Sequence, residues 1–90
     1  MPKYMVERDI AGIGRVSTSA LRALSQKSCS VLHGIGPYIK WQQSFVAGDK
    51  LYCVFIAPSE AVIREHARQT SLSISAIEEI RTTIDPATSE

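Results

Sequence analysis

Residues 45–57 read Phe45-Val46-Ala47-Gly48-Asp49-Lys50-Leu51-Tyr52-Cys53-Val54-Phe55-Ile56-Ala57, and this stretch decides the fold. Gly48-Asp49 stands between two β-rich runs, a pattern that closes a tight hairpin. The run before it, residues 38–47, alternates. Ile39, Trp41, Gln43 and Phe45 fall on one face, and Lys40, Gln42 and Ser44 on the other. The run after it, residues 50–57, is apolar at both parities, as in a strand covered on both sides.

A strand–helix pair is expected on each side of this hairpin. Upstream, residues 3–10 alternate as strand one, with Tyr4, Val6 and Ile10 opposite Met5, Glu7 and Asp9. Gly12-Ile13-Gly14 breaks the pattern, and Ser17 can cap a helix by accepting a free backbone N–H. Leu21, Leu24, Ser28, Val31, Leu32 and Ile35 then recur at helical spacing until Gly34 and Gly36-Pro37 stop the helix. Downstream, Pro58-Ser59 opens a second helix with Ser59 as its cap and Val62, Ile63, His66 and Thr70 facing inward. Ser75-Ala76-Ile77-Glu78 has the spacing of a capping box. Residues 79–85 then alternate as strand four, Ile80, Thr82 and Ile84 against Arg81, Thr83 and Asp85, up to Pro86 and a loose end.

The order is βαββαβ, which predicts an α+β ferredoxin-like domain. Its four-stranded antiparallel sheet carries two helices on one face. The right-handed crossover rule interlocks the two βαβ units and puts strands one and three at the centre. The sheet's other face would be left apolar, so a homodimer packed sheet against sheet is expected.

Composition bounds what such a domain can do. The 90 residues make a single domain over 1–90, with an ordered core from 3 to 86. Apolar residues at 44 % and charged residues at 21 % are ordinary for a globular chain. The formal net charge of +1, without a basic stripe, argues against nucleic acid as a partner. The apolar runs are too short for a membrane span. Met1-Pro2-Lys3-Tyr4 leads directly into a strand pattern without a signal-peptide core, so a cytoplasmic location is expected. Cys29 and Cys53 are then expected to be reduced thiols.

Four residues stand out for their chemistry. His66 lies in the middle of the inward stripe of helix two, where each ring nitrogen needs a partner. It reads either as a hydrogen-bonded core histidine or as a metal ligand or general base. Cys53 in strand three and Cys29 on helix one read as small buried hydrophobes, or with His66 as a thiolate–imidazole site for nickel, zinc or copper. Glu7 and Arg8 occupy opposite faces of a central strand, so one of them must face a covered side. Glu7 is either a structural ion pair, with Arg81 as the neighbouring candidate, or a carboxylate ligand. The remaining motifs carry less. Gly12-Ile13-Gly14 lacks the third glycine of a phosphate loop, Glu65-His66 is not HExxH, and no GxSxG occurs. His33 at a helix C-terminus suits the helix dipole.

Several segments together resemble a family of small bacterial proteins catalogued as a domain of unknown function. They are Tyr4-Met5-Val6-Glu7-Arg8-Asp9, Ser28-Cys29, Leu51-Tyr52-Cys53-Val54-Phe55-Ile56-Ala57-Pro58, Ile63-Arg64-Glu65-His66-Ala67 and Ile84-Asp85-Pro86. The best-described relatives in that family are nickel-binding proteins that form ferredoxin-like dimers. The resemblance implies the same fold, a dimer joined through its sheets, and nickel binding. It transfers no ligand to the end of strand one, where this chain has Arg8-Asp9.

Three functional classes follow, of which the plainest is an interaction or regulatory module that meets another protein through the dimer surface; the other two involve the candidate residues. The first is a small dimeric metal-binding protein for storage, sensing or delivery, with His66, Cys53, Cys29 and Glu7 as candidate ligands. Nickel is the first choice of metal, and zinc and copper are the alternatives. The second is a small dimeric α/β-barrel enzyme, an isomerase or cofactor-free monooxygenase, using His66 as general base.

Overall fold

The computed structural model describes residues 1–89. It contains β1 (Lys3–Asp9), α1 (Thr18–Ile35), β2 (Lys40–Ala47), β3 (Lys50–Ile56), α2 (Glu60–Thr70) and β4 (Ala76–Ile80), with short 3-10 turns at Ile13–Arg15 and Pro86–Ser89. The sheet order is β2-β3-β1-β4, and every neighbouring pair is antiparallel. The expected ferredoxin-like order is therefore present, with β1 and β3 in the centre.

Strand parity sorts the core. On β1, Tyr4, Val6 and Arg8 face the helices and are buried, while Met5 and Glu7 face the other way and are half-buried. Register then carries this sorting across the sheet. Val6 pairs with Cys53 and Arg8 with Leu51, so Cys53 and Leu51 also face the helices. Val54 looks toward the uncovered face and is buried, but Tyr52 and Ile56 on that face are only half-buried. Within one chain, β3 is therefore fully shielded on its helix face alone.

The helices form where their caps and stripes place them. The Ser17 hydroxyl accepts the Ala20 N–H at 3.2 Å, and Ser28 and Leu32 are the buried positions of α1. The helix passes through Gly34 and ends at Gly36, whose φ of 120° favours glycine. α2 buries Ile63, His66, Ala67 and Thr70. Ser59 stands at its N-cap without a side-chain hydrogen bond, so it caps by position only.

The connection after β1 explains its glycines. A Cβ on Gly14 would sit 2.6 Å from the Gly48 carbonyl oxygen, and Ile10 donates its N–H to Asp49 at 2.9 Å. Gly12 has a φ of 82°. These glycines make a tight turn that packs on the hairpin.

Four expectations need correction. The strict alternation of β2 fails because a bulge interrupts the register between Trp41 and Gln43. One extra residue flips the parity that follows it. Trp41, Ser44 and Val46 therefore share the helix-covered face, and Gln43 and Phe45 share the other. Trp41 and Phe45 thus lie on opposite faces, and the Trp41 indole N–H donates to Ser44 Oγ at 2.8 Å across the bulge.

The last strand lies earlier than its alternation suggested. It spans Ala76–Ile80, and residues 81–85 are exposed and outside the sheet. The capping box does not form. Instead, Ser75 N–H donates to Glu7 O at 2.8 Å and Ser75 Oγ accepts from Asp9 N at 2.9 Å, so these groups join β1 rather than cap a helix. Asp85 holds the closing turn by accepting from Ala87 N at 2.9 Å. The expected loose end includes Glu90, which lies outside the described residues.

The fourth correction concerns Glu7. Its partner is Lys50, with Nζ 3.5 Å from Oε1, and not Arg81. Glu7 is opposite Ala76 in the register, whereas Arg81 follows Ile80, which is opposite Lys3 at the other end of β1.

Candidate functional site

A cavity of about 200 Å³ lies between the helices and the sheet. Leu21 and Leu24 from α1, Trp41 from β2 and Phe55 from β3 give it apolar walls. Six polar side chains reach it: Arg8 from β1, Ser25 and Ser28 from α1, Ser44 from β2, Cys53 from β3 and His66 from α2.

His66 comes from the buried stripe of α2 and is 1 % exposed. Its Nε2 lies 3.2 Å from Ser28 Oγ and 3.4 Å from Ser28 O, which links α2 to α1. Its ring stands 5.4 Å from that of Phe55 at a tilt of 59°. Nδ1 is buried and has no partner. Burial lowers the His66 pKa, and the nearby Arg8 charge adds a smaller push the same way against the Ser28 carbonyl. The ring is therefore neutral at neutral pH. Either Nε2 accepts from the Ser28 hydroxyl and Nδ1 keeps its proton, or Nε2–H donates to a Ser28 oxygen. Nδ1 is the free end in both tautomers.

Arg8 is the other unusual group. It is also 1 % exposed, although Arg is rarely buried without a counter-charge. Its Nη1 donates to Leu72 O at 2.6 Å, with Ser73 O at 3.5 Å, and its Nε has no partner. Ser71 makes these contacts available. It ends α2 in the left-handed region, at φ 60°, and turns the following carbonyls toward β1. No ion pair of Arg8 occurs among the described residues.

The structure brings together only part of the site expected from sequence. His66 and Cys53 line one cavity, and Cys53 is 4 % exposed. Cys29 is exposed on α1, where it borders a shallow depression with His33. Glu7 lies on the uncovered sheet face beside Lys50. No group of three His, Cys, Asp or Glu side chains able to hold a metal ion occurs among the described residues.

The cavity does not fit a divalent cation. It offers one imidazole and one thiol, next to a buried guanidinium that repels positive charge. The α1 surface fits better, because Cys29 and His33 are one helical turn apart and both solvent-facing. Sequence reading did not single out Arg8 as the cavity's charge or His33 as a neighbour of Cys29. Both were legible, one from its parity with Tyr4 and Val6 and the other from its i, i+4 spacing. No helix among the described residues is long and apolar enough to cross a membrane.

Comparisons with known proteins agree with this geometry at the level of fold. A family model described as nickel responsive protein SCO4226-like matches residues 4–80. The crystal structure of SCO4226 from Streptomyces coelicolor A3(2) superposes with a TM-score of 0.76 at 15 % identity, covering 91 % of this chain and 99 % of that one. No curated protein matches the sequence.

Proposed function

Because the chain belongs to the SCO4226-like family of nickel-responsive proteins, we propose that it is a small homodimeric protein of the cytoplasm that binds a transition metal. Nickel is the first candidate, with zinc and copper as alternatives. The observation that carries this reading is the exposed pair Cys29 and His33 on adjacent turns of α1. Thiolate and imidazole are the donors these metals prefer, and i, i+4 spacing puts two side chains within reach of one ion. Two protein donors leave the other coordination positions to water or to a partner. Such an open site exchanges its ion readily, which suits sensing or delivery better than storage. The thiol must lose its proton to bind, so uptake releases acid and strengthens with pH.

The dimer uses the uncovered sheet face. Met5, Tyr52, Val54 and Ile56 pave it, and Phe45 projects from it with 49 % of its surface exposed. Covering this apolar area with a second copy would remove it from water.

Calorimetric titration of untagged protein with nickel chloride tests the metal reading. Wild type is expected to bind, and Cys29→Ser and His33→Ala each to weaken binding by at least about tenfold. Wild type that binds none of nickel, zinc or copper would overturn the reading. So would variants equal to wild type. Loss of binding in His66→Gln alone would move the ion to the cavity.

A further inference from the structure

The cavity carries a positive charge that no described residue neutralises. Arg8 cannot shed its proton, and among the described residues its only partners are the carbonyls of Leu72 and Ser73. No described Asp or Glu lines the cavity. Desolvating a guanidinium without a counter-ion is costly, and an apolar residue of similar volume at that place is often neutral or stabilising. Packing alone therefore gives no reason for an arginine on the inward face of a central strand. Arg8 Nε and His66 Nδ1 are also both buried without partners, on two residues that line the same cavity. Orphaned buried polar atoms are rare, and two that share a cavity call for an occupant with polar atoms of its own.

The rest of the lining says what kind of occupant. Leu21, Leu24, Trp41 and Phe55 are apolar and Ser25 and Ser44 add only two hydroxyls, so most of the molecule must be hydrocarbon. The size sets a limit, since an engineered cavity of about 150 Å³ takes benzene. At about 200 Å³, this one admits one ring or a short chain with a single head group. A phosphate would call for more donors than one guanidinium and one imidazole.

We propose that this cavity binds a small organic monocarboxylate, its head group held by Arg8 and His66 and its apolar body by Leu21, Leu24, Trp41 and Phe55. The carboxylate accepts from the guanidinium in a charge-assisted hydrogen bond. His66 in its Nδ1–H tautomer donates to the same head group, while Nε2 accepts from the Ser28 hydroxyl. The site is separate from Cys29 and His33, and its occupancy does not depend on a metal.

Calorimetry with benzoate and hexanoate, against benzyl alcohol and hexanol, tests the proposal. A chelator in the buffer keeps the outcome independent of the metal reading. At least one carboxylate is expected to bind, with its neutral counterpart at least about tenfold weaker. Arg8→Met is expected to lose that preference. Leu24→Trp, which fills the cavity and leaves Arg8 in place, is expected to lose binding of both kinds, and it serves if Arg8→Met does not fold. Wild type that takes up neither carboxylate at millimolar concentration would overturn the proposal. Equal affinity for acid and alcohol, or undiminished carboxylate binding in Leu24→Trp, would do the same.

Discussion

The Ser28 hydroxyl stands 3.2 Å from His66 Nε2, and this buried contact is a polar bridge between the two helices. Both residues lie on stripes that otherwise bury apolar groups, so the bridge fixes how the helices sit on each other as well as on the sheet. It also aims the imidazole, because the bonded nitrogen determines which one is left for the cavity.

Removing the hydroxyl tests the bridge. Ser28→Ala leaves Nε2 with only the Ser28 carbonyl, 3.4 Å away. A lost buried hydrogen bond of this kind costs about 1–2 kcal/mol. Urea unfolding of the variant should show that loss at an unchanged m-value. A midpoint equal to that of wild type would mean that the contact adds nothing.

Burial of His66 makes stability depend on pH. Its folded pKa lies below the ordinary value of about 6.5, so the unfolded chain takes up a proton that the folded chain refuses. This group's effect is absent above 6.5. It destabilises as pH falls from 6.5 toward the folded pKa. Unfolding free energy measured at pH 7.5 and 5.5 should be lower at 5.5, and His66→Gln should reduce that difference. An unchanged difference in the variant would assign the pH dependence to other groups.

Ser71 holds the left-handed conformation at the end of α2, at φ 60°. A side chain there is strained, and glycine is the common residue at such positions. Ser71→Gly is expected to raise stability by about 0.5–1 kcal/mol, partly offset by the greater freedom of the unfolded chain. A thermal melt would register this as a rise of a few degrees. A drop would show that the Ser71 side chain makes a compensating contact.

Phe45 is the test of the dimer. Phe45→Asp puts a charge on the uncovered sheet face, on its edge strand β2, and leaves the helix side untouched. Light scattering should give twice the chain mass for wild type and one chain mass for the variant. Wild type at one chain mass would remove the dimer from the proposed function.

Local patterns were enough to read most of the fold. The hairpin at Gly48-Asp49 and the Ser17 cap depend on short-range chemistry, and both hold. The misread parts depend on pairing with distant residues. Ser75 to Glu78 satisfies a helix-capping pattern in sequence, yet Ser75 finds its partners on β1, more than sixty residues away. The bulge in β2 likewise comes from register against β3, which the alternation of β2 alone does not encode.

The site was legible in direction and not in composition. Helical spacing placed His66 inward, and the structure agrees. The face of Cys53 stayed open in sequence because its strand is apolar at both parities. Pairing with the buried Val6 decides it. The cavity could not be read in advance, because a void is what remains after side chains from five elements have packed.

The bulge at Trp41–Gln43 also ties the length of β2 to both faces of the sheet. Beyond it, β2 serves two surfaces at once, with Val46 at the cavity and Phe45 on the opposite side. Deleting Gln42 would restore regular alternation and exchange the environments of residues on one side of the break. A chain one residue shorter at this point would exchange what β2 presents to the cavity and to the opposite sheet face. Strand length at this position therefore carries information that residue identity does not reveal.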